Sequence, residues 1–107
     1  MNTTIATPAA FSLEAIRTDN GLFSINDLHK AAGGEKRHQP ANWLRLQQTI
    51  DLIDYLKTEE SKTQMCAIQS KQGVGTFVCK ELVCAYAAWI SPAFHLVVIR
   101  SFLEQHG

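Results

Sequence analysis

The chain has 107 residues, of which 46% are hydrophobic, and this is enough apolar surface for one domain with a single core. No apolar run approaches the roughly 18 residues that a membrane span requires, and the chain does not start as a signal peptide does. We therefore expect a soluble intracellular protein with no membrane partner. Three cysteines, an odd number, do not suggest a disulfide framework, and we expect them to be small buried residues.

Charge is segregated along the sequence, although ten Lys and Arg balance ten Asp and Glu to a formal net charge of zero. Neutrality counts against nucleic-acid binding, because phosphate contacts supply much of the affinity of basic domains. However, residues 28–50 carry four Lys or Arg against one acid, whereas residues 51–60 carry four acids against one base. Such segregation can produce a basic face on a neutral molecule.

The chain begins with a predicted leader and a predicted hairpin. Residues 1–10 are small and polar without periodicity, so we expect a disordered leader before one domain over residues 11–107. Apolar and polar residues alternate over 11–25, and Asp-Asn-Gly at 19–21 interrupts the alternation. Because Asn and Gly adopt positive φ at low cost, this pattern predicts a β-hairpin.

A helix and a glycine corner follow. Ser24 or its neighbour Asn26 is placed to start the helix, which we expect to end at the Gly-Gly pair that opens residues 33–39. This corner sets Lys36, Arg37 and His38 beside small residues that let a phosphate group approach the backbone. A phosphate-binding corner and an ordinary solvated loop both remain open interpretations.

The next predicted helix starts at Pro40 and continues through residues 51–60. At about 100° per residue, its apolar side carries Trp43, Leu46 and Ile50. The opposite side carries polar side chains: Asn42, Arg45 and Gln48. Asn and Gln can bind adenine and Arg can bind guanine in the major groove, although two amphipathic helices also form plain helical hairpins.

The rest of the chain predicts a second hairpin and two helices. Residues 63–79 form two strand-like segments around a glycine-containing turn, and Lys71 and Gln72 at its tip could lie along a duplex as a wing. Such tips mostly serve only the turn geometry. Helices are predicted over residues 81–90 and 91–104, the last beginning with Ser-Pro and burying apolar side chains: Phe94, Val97, Val98 and Phe102.

The sequence provides no catalytic or metal-binding pattern. Cys79 or Cys84 could be paired with a histidine as thiol and base, but spacing cannot show that assembly. Cys-x-x-Cys and His-Glu-x-x-His are absent, and the segment 73–76 lacks the Gly-Lys-Ser/Thr ending of a phosphate loop. We expect no enzyme, no cofactor and no metal.

Four segments, residues 19–28, 42–46, 75–78 and 85–94, resemble a KilA-N domain, and the resemblance extends over residues 16–102. The most specific strings are Asn-Trp-Leu-Arg in the second segment and Trp-Ile-Ser-Pro-Ala-Phe in the fourth. KilA-N domains are the DNA-binding modules of bacteriophage, prophage and large DNA virus proteins. They are related in fold to the DNA-binding domain of fungal APSES transcription factors.

The resemblance implies an α+β fold akin to a winged helix-turn-helix, with two β-hairpins packed with a helical core, that binds double-stranded DNA in transcriptional control. It places the DNA face on the predicted second helix, the corner before it and the wing. Lys30 and His38, near the corner, are added to this face. The candidate DNA-binding residues are therefore Lys30, Lys36, Arg37, His38, Asn42, Arg45, Gln48, Lys71 and Gln72. Among them, Asn42, Arg45 and Gln48 would read base edges, and Lys30, Lys36, Arg37 and Lys71 would anchor phosphates.

Two functions follow from these patterns. The first is the DNA-binding domain of a phage or prophage transcriptional regulator or antirepressor, without catalysis. The alternative is a protein-interaction module that captures a repressor through the last helix, where residues 96–99 are all apolar. A C-terminal domain outside this chain and a second copy in a homodimer are further expected partners.

Overall fold

A computed structural model of the chain describes residues 12–63 and 66–106, so the predicted leader at residues 1–10 lies outside the described residues. The fold is α+β, as predicted: one antiparallel sheet of four strands packs with helices. Its helices and strands are β1 (Thr18–Asp19), β2 (Leu22–Ser24), α1 (Ile25–Ala31), α2 (Pro40–Leu44), α3 (Gln47–Thr63), β3 (Ile68–Lys71), β4 (Gly75–Val78), α4 (Lys80–Ile90) and α5 (Pro92–His106).

Both predicted hairpins are confirmed, and they join into one sheet of order β1-β2-β4-β3. Strands β2 and β4 pair antiparallel and so connect the two hairpins, with Phe23 opposite Val78. In the first hairpin, Asn20 and Gly21 have φ of 55° and 83°, as the Asp-Asn-Gly pattern predicts. The first arm is shorter than predicted, because residues 13–15 form a 3₁₀ turn instead of strand.

The predicted boundaries of α1 are confirmed. The Ser24 hydroxyl accepts a hydrogen bond from the backbone N–H of Asp27 at 3.3 Å and caps the helix. At the other end, Gly33 and Gly34 have φ of 114° and 67°. The Gly34 N–H donates to the carbonyl of His29 at 2.8 Å, which satisfies one of the last carbonyls of the helix.

The prediction of one continuous helix from Pro40 through residues 51–60 is wrong. Helix α2 ends at Leu44, and α3 begins only at Gln47. Neither intervening residue is a helix breaker, so the break reflects tertiary packing. Because the helical phase restarts there, Thr49 is 2% exposed whereas Ile50, predicted to be buried, is 39% exposed.

The core lies between the sheet and the helices α1, α2, α4 and α5. It centres on large side chains that are almost fully buried: Ile25, Leu28, Trp43, Leu82, Tyr86, Phe94 and Val98. Among the residues predicted for burial in α5, Val97 is only half-buried. The three cysteines are free, and Cys66 is exposed, contrary to the prediction that all three are buried. In the described part of the chain, no helix is long and apolar enough to cross a membrane.

One ion pair ties the sheet to α1. The Arg17 guanidinium donates to both carboxylate oxygens of Asp27, at 2.9 and 3.3 Å, and the Arg17 backbone N–H donates to the same carboxylate at 2.9 Å. Partial burial raises the pKa of the Asp27 carboxyl, but hydrogen bonds and charge from Arg17 outweigh it, so the pKa of Asp27 is lowered. The folded state therefore favours the ionised carboxylate.

We expect Asp27→Asn to lower the free energy of unfolding near pH 7 by about 1 kcal/mol, a figure reduced for the exposure of Arg17. Since the folded pKa lies below the unfolded value of about 3.9, this stabilisation is complete above the unfolded value and is lost as pH falls through the folded pKa. Urea unfolding near pH 7 and near pH 2 should therefore show wild type and variant converging in acid. The control is Asp54→Asn, at an exposed position of α3; a gap for Asp27→Asn that is equal at both pH values contradicts the account.

Candidate nucleic-acid interface

The segment between α1 and α2, residues 33–39, is here called the connector. It is not an open loop, because Lys36–His38 form a 3₁₀ turn. Backbone carbonyls of such a turn need partners when the segment packs against the protein. Side chains from three helices donate to four successive carbonyls: His29 Nε2 to Glu35 at 2.7 Å, Asn42 Nδ2 to Lys36 at 3.5 Å and to Arg37 at 3.4 Å, and the Tyr86 hydroxyl to His38 at 2.5 Å.

The side chains of Lys36 and Arg37 are exposed on this connector. Arg37 Nε lies 2.8 Å from Glu35 Oε1, but both side chains are at least half exposed, and surface pairs of this kind contribute little. Lys36 has no ion-pair partner within the described residues. Exposed Lys30 lies in the last turn of α1, just before the connector. The structure thus brings three of the predicted phosphate-binding cations to one short stretch of surface.

His38 is placed differently from its neighbours. Its ring is half-buried and meets the edge of Trp89 at a centroid distance of 5.6 Å. Burial, followed by the positive charge of Arg37, lowers the pKa of His38, so the ring is neutral near pH 7. The contact with Trp89 and the bond from Tyr86 to its carbonyl attach this end of the connector to α4.

Asn42 links the connector to Arg45. Its Nδ2 donates to connector carbonyls, and its Oδ1 accepts a hydrogen bond from Arg45 Nη2 at 2.6 Å. Both ends of the Asn42 amide are therefore used inside the protein. The Arg45 side chain is exposed at the C-terminal end of α2, and among the described residues only Asn42 accepts a hydrogen bond from it. Gln48 is exposed on α3, beyond the break, and so does not share a continuous helical face with Asn42 as predicted.

The second hairpin lies against α1. At Gly75, whose φ is 129°, an added Cβ would lie 3.0 Å from Asn26 Nδ2, so the start of β4 closely approaches the first turn of α1. Gln72 is exposed at the tip. Lys71 forms an ion pair with Asp19 of the first hairpin. A contact from Lys71 to DNA would have to compete with that carboxylate.

A cleft of about 380 Å³ separates α1, the start of α2 and β4. Its polar lining includes Asn26, Gln39 and Thr76, which sequence analysis did not select as site residues. Asn26 and Thr76 lie in segments that carry the KilA-N resemblance, but nothing in the sequence pattern assigns a binding role to these residues or to Gln39. The cleft is formed by segments that are distant along the chain.

The thiols do not resemble activated nucleophiles. Burial raises the pKa of Cys79, and burial also raises the pKa of Cys84, which favours the neutral thiol over the reactive thiolate. Among the described residues, no group of three or more His, Cys, Asp or Glu side chains is placed to hold a metal ion.

The four-stranded sheet, the short helices and the cationic connector define an α+β domain with a charged surface site. The chain matches the family model of the KilA-N domain over residues 8–106. It therefore belongs to the KilA-N family, a DNA-binding type of domain that is not a known catalytic one.

Among curated proteins, the chain is similar to the protein kilA of Escherichia phage P1. The two are 38% identical over 90 residues, which make up 83% of this chain and 34% of that relative. The chain thus spans about a third of the length of the phage protein. No solved structure matches the chain significantly.

The hydroxyl of Tyr86 tests whether the connector depends on its internal hydrogen bonds. We expect Tyr86→Phe to lower the free energy of unfolding by about 1 to 2 kcal/mol, because the His38 carbonyl loses its donor while ring packing is retained. Amide hydrogen exchange of residues 35–39 should accelerate more than that of β4. The matched control is Tyr55→Phe, since Tyr55 is 64% exposed; equal effects of the two substitutions would show that the Tyr86 bond does not hold the connector.

Proposed function

We propose that this domain binds double-stranded DNA through the connector and the adjoining end of α2. The observation that supports this most strongly is the connector itself. Its carbonyls are held by His29, Asn42 and Tyr86, and the side chains of Lys36 and Arg37 are left exposed. Two cations on a backbone that is already held in place are suited to phosphate contacts, because little backbone entropy is lost on binding.

In this proposal the predicted residues take different roles. Lys30, Lys36 and Arg37 anchor phosphates. Arg45 contacts a guanine edge or a phosphate, and Asn42 orients it rather than reading a base. Gln48 provides a contact from α3. The second hairpin acts as the wing of a winged helix-turn-helix-like domain, with exposed Gln72 along the duplex and Lys71 joining only when it leaves Asp19. His38 supports the connector from inside.

The family and the phage relative favour a role in phage or prophage gene regulation, as a transcriptional regulator or antirepressor in the host cytoplasm. Because the chain spans about a third of that relative, further domains of a longer protein would determine the regulatory outcome. A homodimer would suit two-fold DNA sites, which the class often uses. DNA binding by the domain itself is the part that can be tested directly.

Duplex binding should depend on salt and on the connector. We expect the double variant Lys36→Ala/Arg37→Ala to lower affinity for all duplexes by a similar factor, about tenfold or more near 0.1 M salt. The slope of log K against log salt concentration should fall by about 2, roughly 0.9 for each lost phosphate contact. Fluorescence anisotropy over a salt series measures both quantities.

The matched control removes the same charge elsewhere. Lys57 and Arg100 are exposed on α3 and α5, so Lys57→Ala/Arg100→Ala also lowers the net charge by two. If binding reflects only overall charge, the two double variants will lose the same affinity, and the proposal fails. It also fails if wild-type binding is absent or does not change with salt.

The exposed face of α5 favours a second candidate function, capture of a repressor protein. Leu96 is 48% exposed and Leu103 is 65% exposed, and Leu103 borders an apolar groove with Ile99 and Phe102. The protein-interaction alternative requires exposed apolar surface, and α5 provides it because the helix is not wholly buried. Co-purification with a phage repressor that survives Lys36→Ala/Arg37→Ala but not Leu103→Glu would support this candidate over DNA binding.

A further inference from the structure

The cleft between α1, α2 and β4 is lined by both polar and apolar residues. Its lining includes no Lys, Arg, Asp or Glu. Two amides border it, and neither Asn26 nor Gln39 has a side-chain hydrogen-bond partner within residues 12–63 and 66–106. Both side chains are exposed. They differ in this from Asn42, whose amide is used at both ends.

We propose that this cleft reads the edge of an A·T base pair in the major groove, with the Asn26 and Gln39 amides as the specificity-determining groups. The inference rests on the proposed DNA binding and adds to it the part of the base pair that is recognised. A cleft lined by no Lys or Arg is poorly suited to a phosphate, which is bound mainly by these cations. A carboxamide, in contrast, can donate to adenine N7 and accept from its N6 amino group.

The cleft and the phosphate-binding cations belong to one continuous surface. His29, which lines the cleft, also contacts the carbonyl of Glu35 at 2.7 Å, where the connector turn begins. Gln39 lines the cleft and ends the connector. The connector that carries Lys36 and Arg37 therefore borders the cleft at Gln39 and is linked to it through His29 at Glu35. A strand held by these cations would present its neighbouring base edges to the cleft.

The apolar part of the cleft accounts for the thymine side of the pair. Pro40 and Leu44, both half-buried, give the cleft an apolar part, and the half-buried Thr76 lines it from β4. Thymine differs from cytosine in the major groove by its C5-methyl group and its O4 acceptor. An apolar surface beside a carboxamide thus complements adenine and thymine together, and a guanine edge, with two acceptors, would leave the amide oxygen unpaired.

The test starts with duplexes selected by wild type from a random pool, and then replaces each A·T pair by G·C. We expect Asn26→Ala and Gln39→Ala each to reduce discrimination at one or two of these positions by about tenfold. The salt slope should stay as in wild type, since no phosphate contact is removed. Thermal unfolding checks that both variants fold. Gln47→Ala is the matched amide control, because that amide donates to Asp51 at 2.8 Å.

Modified bases identify the atoms. At the same positions, 7-deazaadenine should weaken wild type but not the affected amide variant, and uracil in place of thymine should weaken both. Lys36→Ala/Arg37→Ala should weaken all duplexes while keeping the A·T preference. If wild type shows no salt-dependent binding, the proposed function fails. If wild type binds and both amide variants discriminate as it does, DNA binding stands and the assignment of the cleft is overturned.

Discussion

The arrangement of the proposed DNA face depends on the side-chain hydrogen bonds that reach four successive backbone carbonyls of the connector. The carbonyls of Glu35 and Lys36 also accept backbone N–H groups within the turn, and the side chains attach all four to the surrounding helices. His29, Asn42 and Tyr86 provide the donors, one from each of three helices. Because the backbone is bonded inward, the side chains of Lys36 and Arg37 are available at the surface. The same hydrogen bonds therefore hold the backbone from which these two cations project.

The break between α2 and α3 is a second consequence of packing. Trp43 is 2% exposed and lies against Tyr86 at a ring-centroid distance of 5.2 Å. With α2 held there, the chain turns at Arg45 and restarts as α3, which buries Thr49. Arg45 thus stands at a helix end beside Asn42 rather than in the middle of a helix. The four acids of residues 51–60 lie on α3 beyond this break, whereas Lys30, Lys36, Arg37 and Arg45 all precede α3.

Features set by neighbouring residues were predicted correctly from sequence. The Asn20 turn, the Ser24 cap and Pro40 at the start of α2 each depend on the preferences of one or two residues. The α2–α3 break was not predictable, because the local pattern favours a continuous helix and packing against α4 overrides it. The use of the Asn42 amide and the cleft beside Asn26 were missed for the same reason: both depend on contacts between separate segments.

The most direct test of the account is a titration of isotopically labelled protein with its selected duplex, followed by the backbone and side-chain amide resonances. The account predicts that the largest shifts fall on the connector, Arg45 and the side-chain amides of Asn26 and Gln39. Resonances of α5 around Leu96 should change little. Shifts concentrated on α5, with the connector unchanged at saturating DNA, would contradict the central claim that the inwardly bonded connector presents the nucleic-acid face.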